Sequence, residues 1–292
     1  DLLFDMAWQE EPADLEQWLG AWLTARYGRL EDRAFRAWKG LLDTVYKNPG
    51  YSHHGGYTQI FNFRPRKEMA YGEIFNELNS SVIKKPYYDT DKLEEAVFLL
   101  ADTGTIFAGQ ECWRYDMQDL LRQVLNNRAC RLVLRAKDDW EAGRREECRR
   151  KTEGFLSLMD ACDRLMGLRE DTTLDYWLEY ARKAGEPYGK ETEKLFVRDA
   201  KTLITTWAGR KTYDTLADYA YRQYEGFLRR YCRPRWERFF RDWENVSSDE
   251  WYDMTLEFIE EEEPAGGTRK RMTAAQAARQ IEETVELLRK TE

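Results

Sequence analysis

A chain of 292 residues can form one large domain or two, and a hydrophobic fraction of 42% is enough to bury a core. The formal charge of -8, from 46 Lys and Arg against 54 Asp and Glu, argues against a general nucleic-acid binder, which needs a basic field. Seven Pro and 18 Gly are few for a β-rich fold of this size, the abundance of Glu and Arg suits solvent faces of helices, and no window reaches the apolar length of a membrane span.

The chain opens at Asp1 with neither an initiator Met nor a signal-like apolar run, and so reads as a piece of something longer. Residues 2–9 predict a short apolar helix. Pro12 suits the first turn of the next, whose buried ladder is Leu15, Trp18, Leu19, Trp22, Leu23 and Tyr27. Phe35, Trp38, Leu41, Leu42, Val45 and Tyr46 form a second ladder, and the short link between the two makes them antiparallel neighbours.

Residues 47–88 break this rhythm. Nothing from Pro49 to Arg66 shows helical spacing, so a long loop is expected, of a kind that often carries function. His53 and His54 are the only imidazoles; adjacent side chains on an extended segment point apart, and no HxxxH or HExxH pattern exists, which favours a surface loop over a metal site.

From Asp89 the pattern is helical almost to the end. Asp89 and Thr90 can cap a helix carrying Leu93, Ala96, Val97 and Leu100. A long helix starts near Glu111, includes RYDMQDLLRQ and runs past Leu134; its charges read by spacing as a solvated face. The charged run Lys137 to Arg150 reads as a solvated spacer before the apolar Phe155, Leu158, Met159, Cys162 and Leu165. Thr172 with Asp175 makes a capping box for a helix ending at Gly185, and another helix runs from about Lys190 into Trp207. A polar elbow follows, with Gly209 free to take left-handed angles. Asp214 is placed to cap a further helix that puts Leu216, Tyr219, Ala220, Gln223 and Phe227 on one face. Pro234 marks a break that opens the next helix. Ser247 with Glu250 caps another, residues 264–272 form a flexible connector, and Thr273 with Gln276 opens a last helix bearing Ile281, Val285 and Leu288. The expected fold is all-α: a single irregular bundle of about ten helices over residues 1–292, with one long loop near residues 47–88.

Five Cys form no CxxC pair and no metal-ligand spacing, so buried thiols are expected, and neither a metal nor a cofactor is indicated. Spacing identifies no acid–base pair among 54 carboxylates. Asp214 and Asp218, one helical turn apart beside Trp207, are the one pair to test, and capping plus solvation explains them better. The Trp207 indole and Tyr219 phenol, at a helix end and in the first turn after the elbow, can present apolar faces outward of the kind that stack on sugar rings.

Several separated motifs resemble one family in order. TW, then LADYAYRQYEGFL, then YCRPRWERF is similar to the C-terminal helical domain of the alpha-N-acetylglucosaminidases of glycoside hydrolase family 89, in which a Trp, an (I/L)xDYAxxQ run and a YxxPRWxxF run recur. RYDMQDLLRQ, DLEQWLGAWLTARYG and AWKGLLDTVY resemble that domain's earlier helices, so the likeness covers roughly residues 1–245. It implies retaining hydrolysis of terminal alpha-linked N-acetylglucosamine by two glutamates of an upstream (β/α)8 barrel, with no catalytic residue in this chain. It implies further that the helical domain packs on that barrel and supplies one wall of the sugar pocket through Trp207, Leu216 and Tyr219. Arg64, in an Arg-Pro pair like the family's, is a secondary candidate, and Arg114 and Asp116 are expected in a buried structural network. The implied partners are the barrel and a glycan ending in alpha-linked N-acetylglucosamine, in a secreted, periplasmic or lysosomal setting. The competing expectation is a helical interaction module whose exposed aromatics bind a protein. A deep, polar-rimmed hollow at the elbow favours the first; a flat apolar strip elsewhere favours the second.

Overall fold

The computed structural model describes residues 1–47, 59–72, 82–207, 209–218, 220–262 and 272–291. A short helix α1 (Leu2–Met6) leads to α2 (Leu15–Tyr27), which begins where the Asp14 carboxylate accepts the amides of Glu16 and Gln17 at 2.9 and 3.1 Å. Pro12 therefore lies outside the helix. Gly28, at φ 86°, ends α2, and α3 (Asp32–Asp43) packs against both α2 and α4 (Thr90–Ala101). Asp89 caps α4, as its position before the apolar run predicts. A single turn, α5 (Gly104–Phe107), then precedes the axis of the molecule.

That axis is α6 (Glu111–Glu141) packed along α7 (Arg145–Met166). The charged run Lys137 to Arg150 spans the end of α6, a tight reversal at Gly143, φ 75°, and the start of α7; most of it is exposed, as its charge pattern predicts, with Asp139 and Cys148 the buried exceptions. Its Asp139 is buried and accepts from Arg144 and Lys151, while Trp140 stacks on Trp243 with ring centres 5.7 Å apart. At the other end of α6, Asp116 is buried and accepts from Arg26 Nη2 and Nε, at 2.6 and 2.7 Å, and from the Tyr27 hydroxyl at 2.7 Å. Burial, followed by the facing Asp116 charge, pushes the Tyr27 phenol far above its ordinary range. This is the buried network expected of the RYD motif, except that Arg114 donates to the Ala108 carbonyl at 2.7 Å.

Within residues 47–88 the described part holds a 3₁₀ turn, Ile60–Asn62, and two three-residue strands, β1 (Ala70–Gly72) and β2 (Val82–Lys84), paired parallel in the register Ala70 to Val82. The turn is buried: Phe61 meets Phe155, and its carbonyl accepts the Trp236 indole at 3.1 Å. His53 and His54, and all but Met272 of the 264–272 connector, lie outside the described residues.

Toward the C-terminus, α8 (Leu174–Gly185) pairs with α9 (Lys190–Ile204). Thr173, not Thr172, caps α8; the Thr172 hydroxyl is committed to the Met166 carbonyl at 2.6 Å. The helix expected from Asp214 to Phe227 does not form. One turn, α10 (Tyr213–Leu216), is followed by an irregular stretch through left-handed Asp218, Tyr221 and Gly226. Phe227 then leads into a π-helical turn, Leu228–Cys232, that continues into α11 (Arg233–Arg241), whose first turn holds Pro234. Ser247 caps α12 (Ser248–Glu260), and the Thr273–Gln276 capping box opens α13 (Ala274–Lys290), with Ile281, Val285 and Leu288 buried. The described residues thus form an all-α domain of thirteen helical segments around one core, ten of them nine residues or longer. Four thiols are buried as expected and Cys112 is exposed; burial pushes Cys130 up to about 11 and Cys162 to about 12, so neither is an activated nucleophile.

Candidate functional site

The elbow after α9 is built from backbone that helices avoid. Ile204 ends α9, Thr205 leaves the helical region, and Trp207 stands at φ 60° with its amide on the Thr202 carbonyl at 2.8 Å. Gly209, which the sequence marks for that conformation, is extended instead. Trp207, Asp218 and Tyr221 are the residues other than glycine with positive φ among those described. Each such residue costs about 1–3 kcal/mol and persists only where its surroundings impose it.

The imposing group is a buried polar network. Asp218 is 6% exposed and binds Arg235, itself 2% exposed, through two hydrogen bonds of 2.9 and 2.7 Å. The Tyr231 hydroxyl donates to Asp218 at 2.8 Å and lies 3.3 Å from the Thr255 hydroxyl, which also meets the Tyr213 hydroxyl at 3.0 Å. The Asp218 amide donates to the Thr205 carbonyl at 2.7 Å, closing the loop from 205 to 218. Removing one partner of such a pair strands the other charge and costs roughly 3–5 kcal/mol.

Asp214 serves other groups. It accepts from Ser248, from Arg210 at 3.3 Å and from Arg64 at 3.2 Å; the Ser248 hydrogen bond, ahead of the arginines, holds its carboxyl below the usual range. Asp214 is therefore not a helix cap. Asp214 and Asp218 are not a converging acid–base pair, because Asp218 is locked to Arg235 and Asp214 is tied down at the surface. Nor does solvation account for Asp218, which is buried.

Beyond Asp218 the chain is held from three sides. The Asn62 amide donates to the Arg222 carbonyl at 2.7 Å, Gln223 exchanges two hydrogen bonds with Asn126 of α6 at 2.8 and 2.9 Å, and Glu225 pairs by backbone with Thr172 and Leu174. One oxygen of the buried Asp163 accepts the amides of Gly226 and Arg229 at 2.8 and 3.1 Å. Gln223, expected on a helix face, is instead an anchor for an extended segment.

The sequence-expected site residues fall as follows. Trp207 is 45% exposed at the tip of the strained turn, Leu216 is half-buried in α10, and Tyr219 lies outside the described residues. Arg64 is a buried brace, with its guanidinium 5.1 Å from the Tyr213 ring centre and one nitrogen 3.3 Å from the Asp214 carbonyl. It also lines a cleft of about 360 Å³ with Arg66, Asp214, Ser248 and Trp251; Trp207 and Leu216 are not among that cleft's walls. Spacing missed Arg235, although a signal was present. It lies four residues from both Tyr231 and Phe239, and a charge inside an aromatic stripe demands a buried counter-charge.

Residues 18–289 match the family described as the alpha-N-acetylglucosaminidase (NAGLU) C-terminal domain. The chain belongs to this family. Among individual relatives of this domain, the human alpha-N-acetylglucosaminidase is 26% identical over 241 residues, covering 82% of this chain and 30% of its own length. Among solved structures, a family 89 glycoside hydrolase from Clostridium perfringens in complex with 2-acetamido-1,2-dideoxynojirmycin superposes with a TM-score of 0.84 at 25% identity. That overlap covers 99% of this chain and 33% of that one. The same organism's enzyme in complex with GlcNAc-alpha-1,4-galactose gives a TM-score of 0.84 at 24% identity over 97% of this chain and 32% of that one, a likeness of fold. The alpha-N-acetylglucosaminidase C-terminal domain seen here thus spans about a third of the length of the relatives it matches.

Proposed function

We propose that this chain is the helical part of a retaining alpha-N-acetylglucosaminidase acting on glycans that end in alpha-linked N-acetylglucosamine. In this reading it supports an upstream (β/α)8 barrel that holds the two catalytic glutamates, and it supplies one wall of the sugar pocket through Trp207, Leu216 and Tyr219. Arg64 acts behind that wall as a brace for α10. The family match over residues 18–289 carries the activity, and the exposed indole on a backbone turn held from beneath carries the wall. A preorganised aromatic face gives affinity and orientation at low cost on binding.

The test is kinetic. In the longer enzyme, with a chromogenic alpha-N-acetylglucosaminide, Trp207→Ala is expected to raise KM about three- to tenfold, the value of one stacked ring. Unchanged kinetics would remove Trp207 from the wall. This chain alone is expected to show no turnover, and measurable hydrolysis by it would overturn the division of labour.

A specific observation favours a second use of the same domain. Tyr180 and Tyr188 at the α8 end, with Leu195 and Leu203 on α9, are each more than half exposed, and Trp177 is 40% exposed. Exposed apolar side chains on this helix pair suit contact with a protein surface, either the barrel or a separate partner.

A further inference from the structure

We infer that Arg235 is the positioning residue of the elbow: its buried guanidinium, acting through the Asp218 carboxylate, holds the loop from Thr205 to Asp218 closed and so fixes where Trp207 and Leu216 stand. The inference rests on the wall reading proposed above and names the group that sets the wall's geometry.

Three observations converge on it. The loop's two ends meet at a hydrogen bond from the Asp218 amide to the Thr205 carbonyl at 2.7 Å, and Trp207 takes a left-handed angle that a bulky residue adopts only under constraint, while Asp218 takes one that its residue type tolerates. The constraint comes from outside the loop, because Arg235 lies on α11 and reaches Asp218 with both terminal nitrogens, while Tyr231 supplies a third hydrogen bond to the same carboxylate. Around the guanidinium are aromatic faces, with the Tyr231 ring centre 4.6 Å and that of Trp251 5.9 Å away, so no solvent offers the carboxylate a substitute.

General support does not account for this arrangement. A buried ion pair contributes little net stability compared with apolar groups of the same size, whereas its directionality selects one geometry. Apolar packing is non-directional and cannot hold a left-handed Asp in one orientation. A planar fork can, and an ammonium cannot replace it.

Two variants separate positioning from bulk support. Arg235→Lys keeps the charge and loses the fork; Asp218→Asn keeps an oxygen and a residue type that tolerates left-handed angles, and loses the charge. On this chain, hydrogen–deuterium exchange is expected to quicken about tenfold or more at the amides of residues 205–218, with those of α6 and α7 unchanged. In the longer enzyme, Arg235→Lys is expected to raise KM about three- to tenfold at unchanged kcat, matching Trp207→Ala. Exchange in 205–218 that stays at the wild-type rate in both variants would overturn the inference. So would exchange that quickens equally through α6 and α7, which would make Arg235 a support of the whole core. If Trp207→Ala leaves KM untouched, the wall reading falls, and the exchange measurement still decides whether Arg235 sets the elbow.

Discussion

At the scale of single residues, Asp163 shows how a side chain far along the sequence can start a helix. Its carboxylate takes the amides of Gly226 and Arg229, the donors left over where the chain turns from extended into the π-helical turn. Asp163→Ala strands both, and unfolding by denaturant is expected to show a loss of about 2 kcal/mol or more. Asp163→Asn keeps the accepting oxygen and loses the charge. Burial, ahead of the amides that oppose it, raises the Asp163 carboxyl to about 6 from an ordinary value of 3.8. Between those two values the folded state holds a proton that the unfolded state has released, so this group's contribution to stability falls as pH rises from about 4 to about 6 and is level above. The advantage of wild type over Asp163→Asn is therefore expected to shrink across that window by on the order of 2–3 kcal/mol. A difference that stays constant with pH would show that Asp163 does not titrate there.

At the scale of elements, Gly185 decides how closely α8 and α9 approach. A Cβ at that position would stand 2.7 Å from the Glu193 Cα and 2.9 Å from its nitrogen, and backbone inside a helix cannot step aside cheaply. Gly185→Ala is expected to cost about 1–3 kcal/mol as overpacking, read as a lower melting temperature. Gly109→Ala is the control: a Cβ there meets nothing within 4 Å, and its melting temperature should stay level or rise slightly. The same contrast explains what the sequence made legible. Helices whose apolar residues recur with the helical period and whose ends carry Asp89, Ser247 or Thr273 were readable, because the signals are local, whereas Pro12 drew the start of α2 away from its true cap, Asp14. The stretch after Leu216 was not. LADYAYRQYEGF carries helical spacing, but Arg235, Asn62, Asn126 and Asp163 pull its polar groups outward into four separate partners, and those partners lie up to 160 positions away. Of the candidate site, Trp207 was legible as an exposed aromatic at a helix end, whereas the strain beneath it depends on Arg235, whose pairing no local pattern reveals.

At the scale of the whole molecule, the question is what covers the α8–α9 face. Leu195 and Leu203 are 51% and 53% exposed, against a chain that spans about a third of its relatives' length. If the domain works as proposed, that face and the elbow at the end of α9 belong to one surface turned toward the barrel. Replacing both leucines with Gln should then have opposite consequences in two settings. In this chain alone the change touches solvent-exposed positions, and its effect on unfolding is expected to stay within roughly 0.5 kcal/mol per site. In the longer enzyme it sets polar amides against a dry contact and leaves them without partners, which is expected to lower the melting temperature and the activity together. Calorimetry on both forms checks it. Loss in the longer enzyme alone would mark that face as the seam between barrel and helices. No loss in either form would leave Leu195 and Leu203 outside the seam, as exposed side chains of the kind that any folded surface carries.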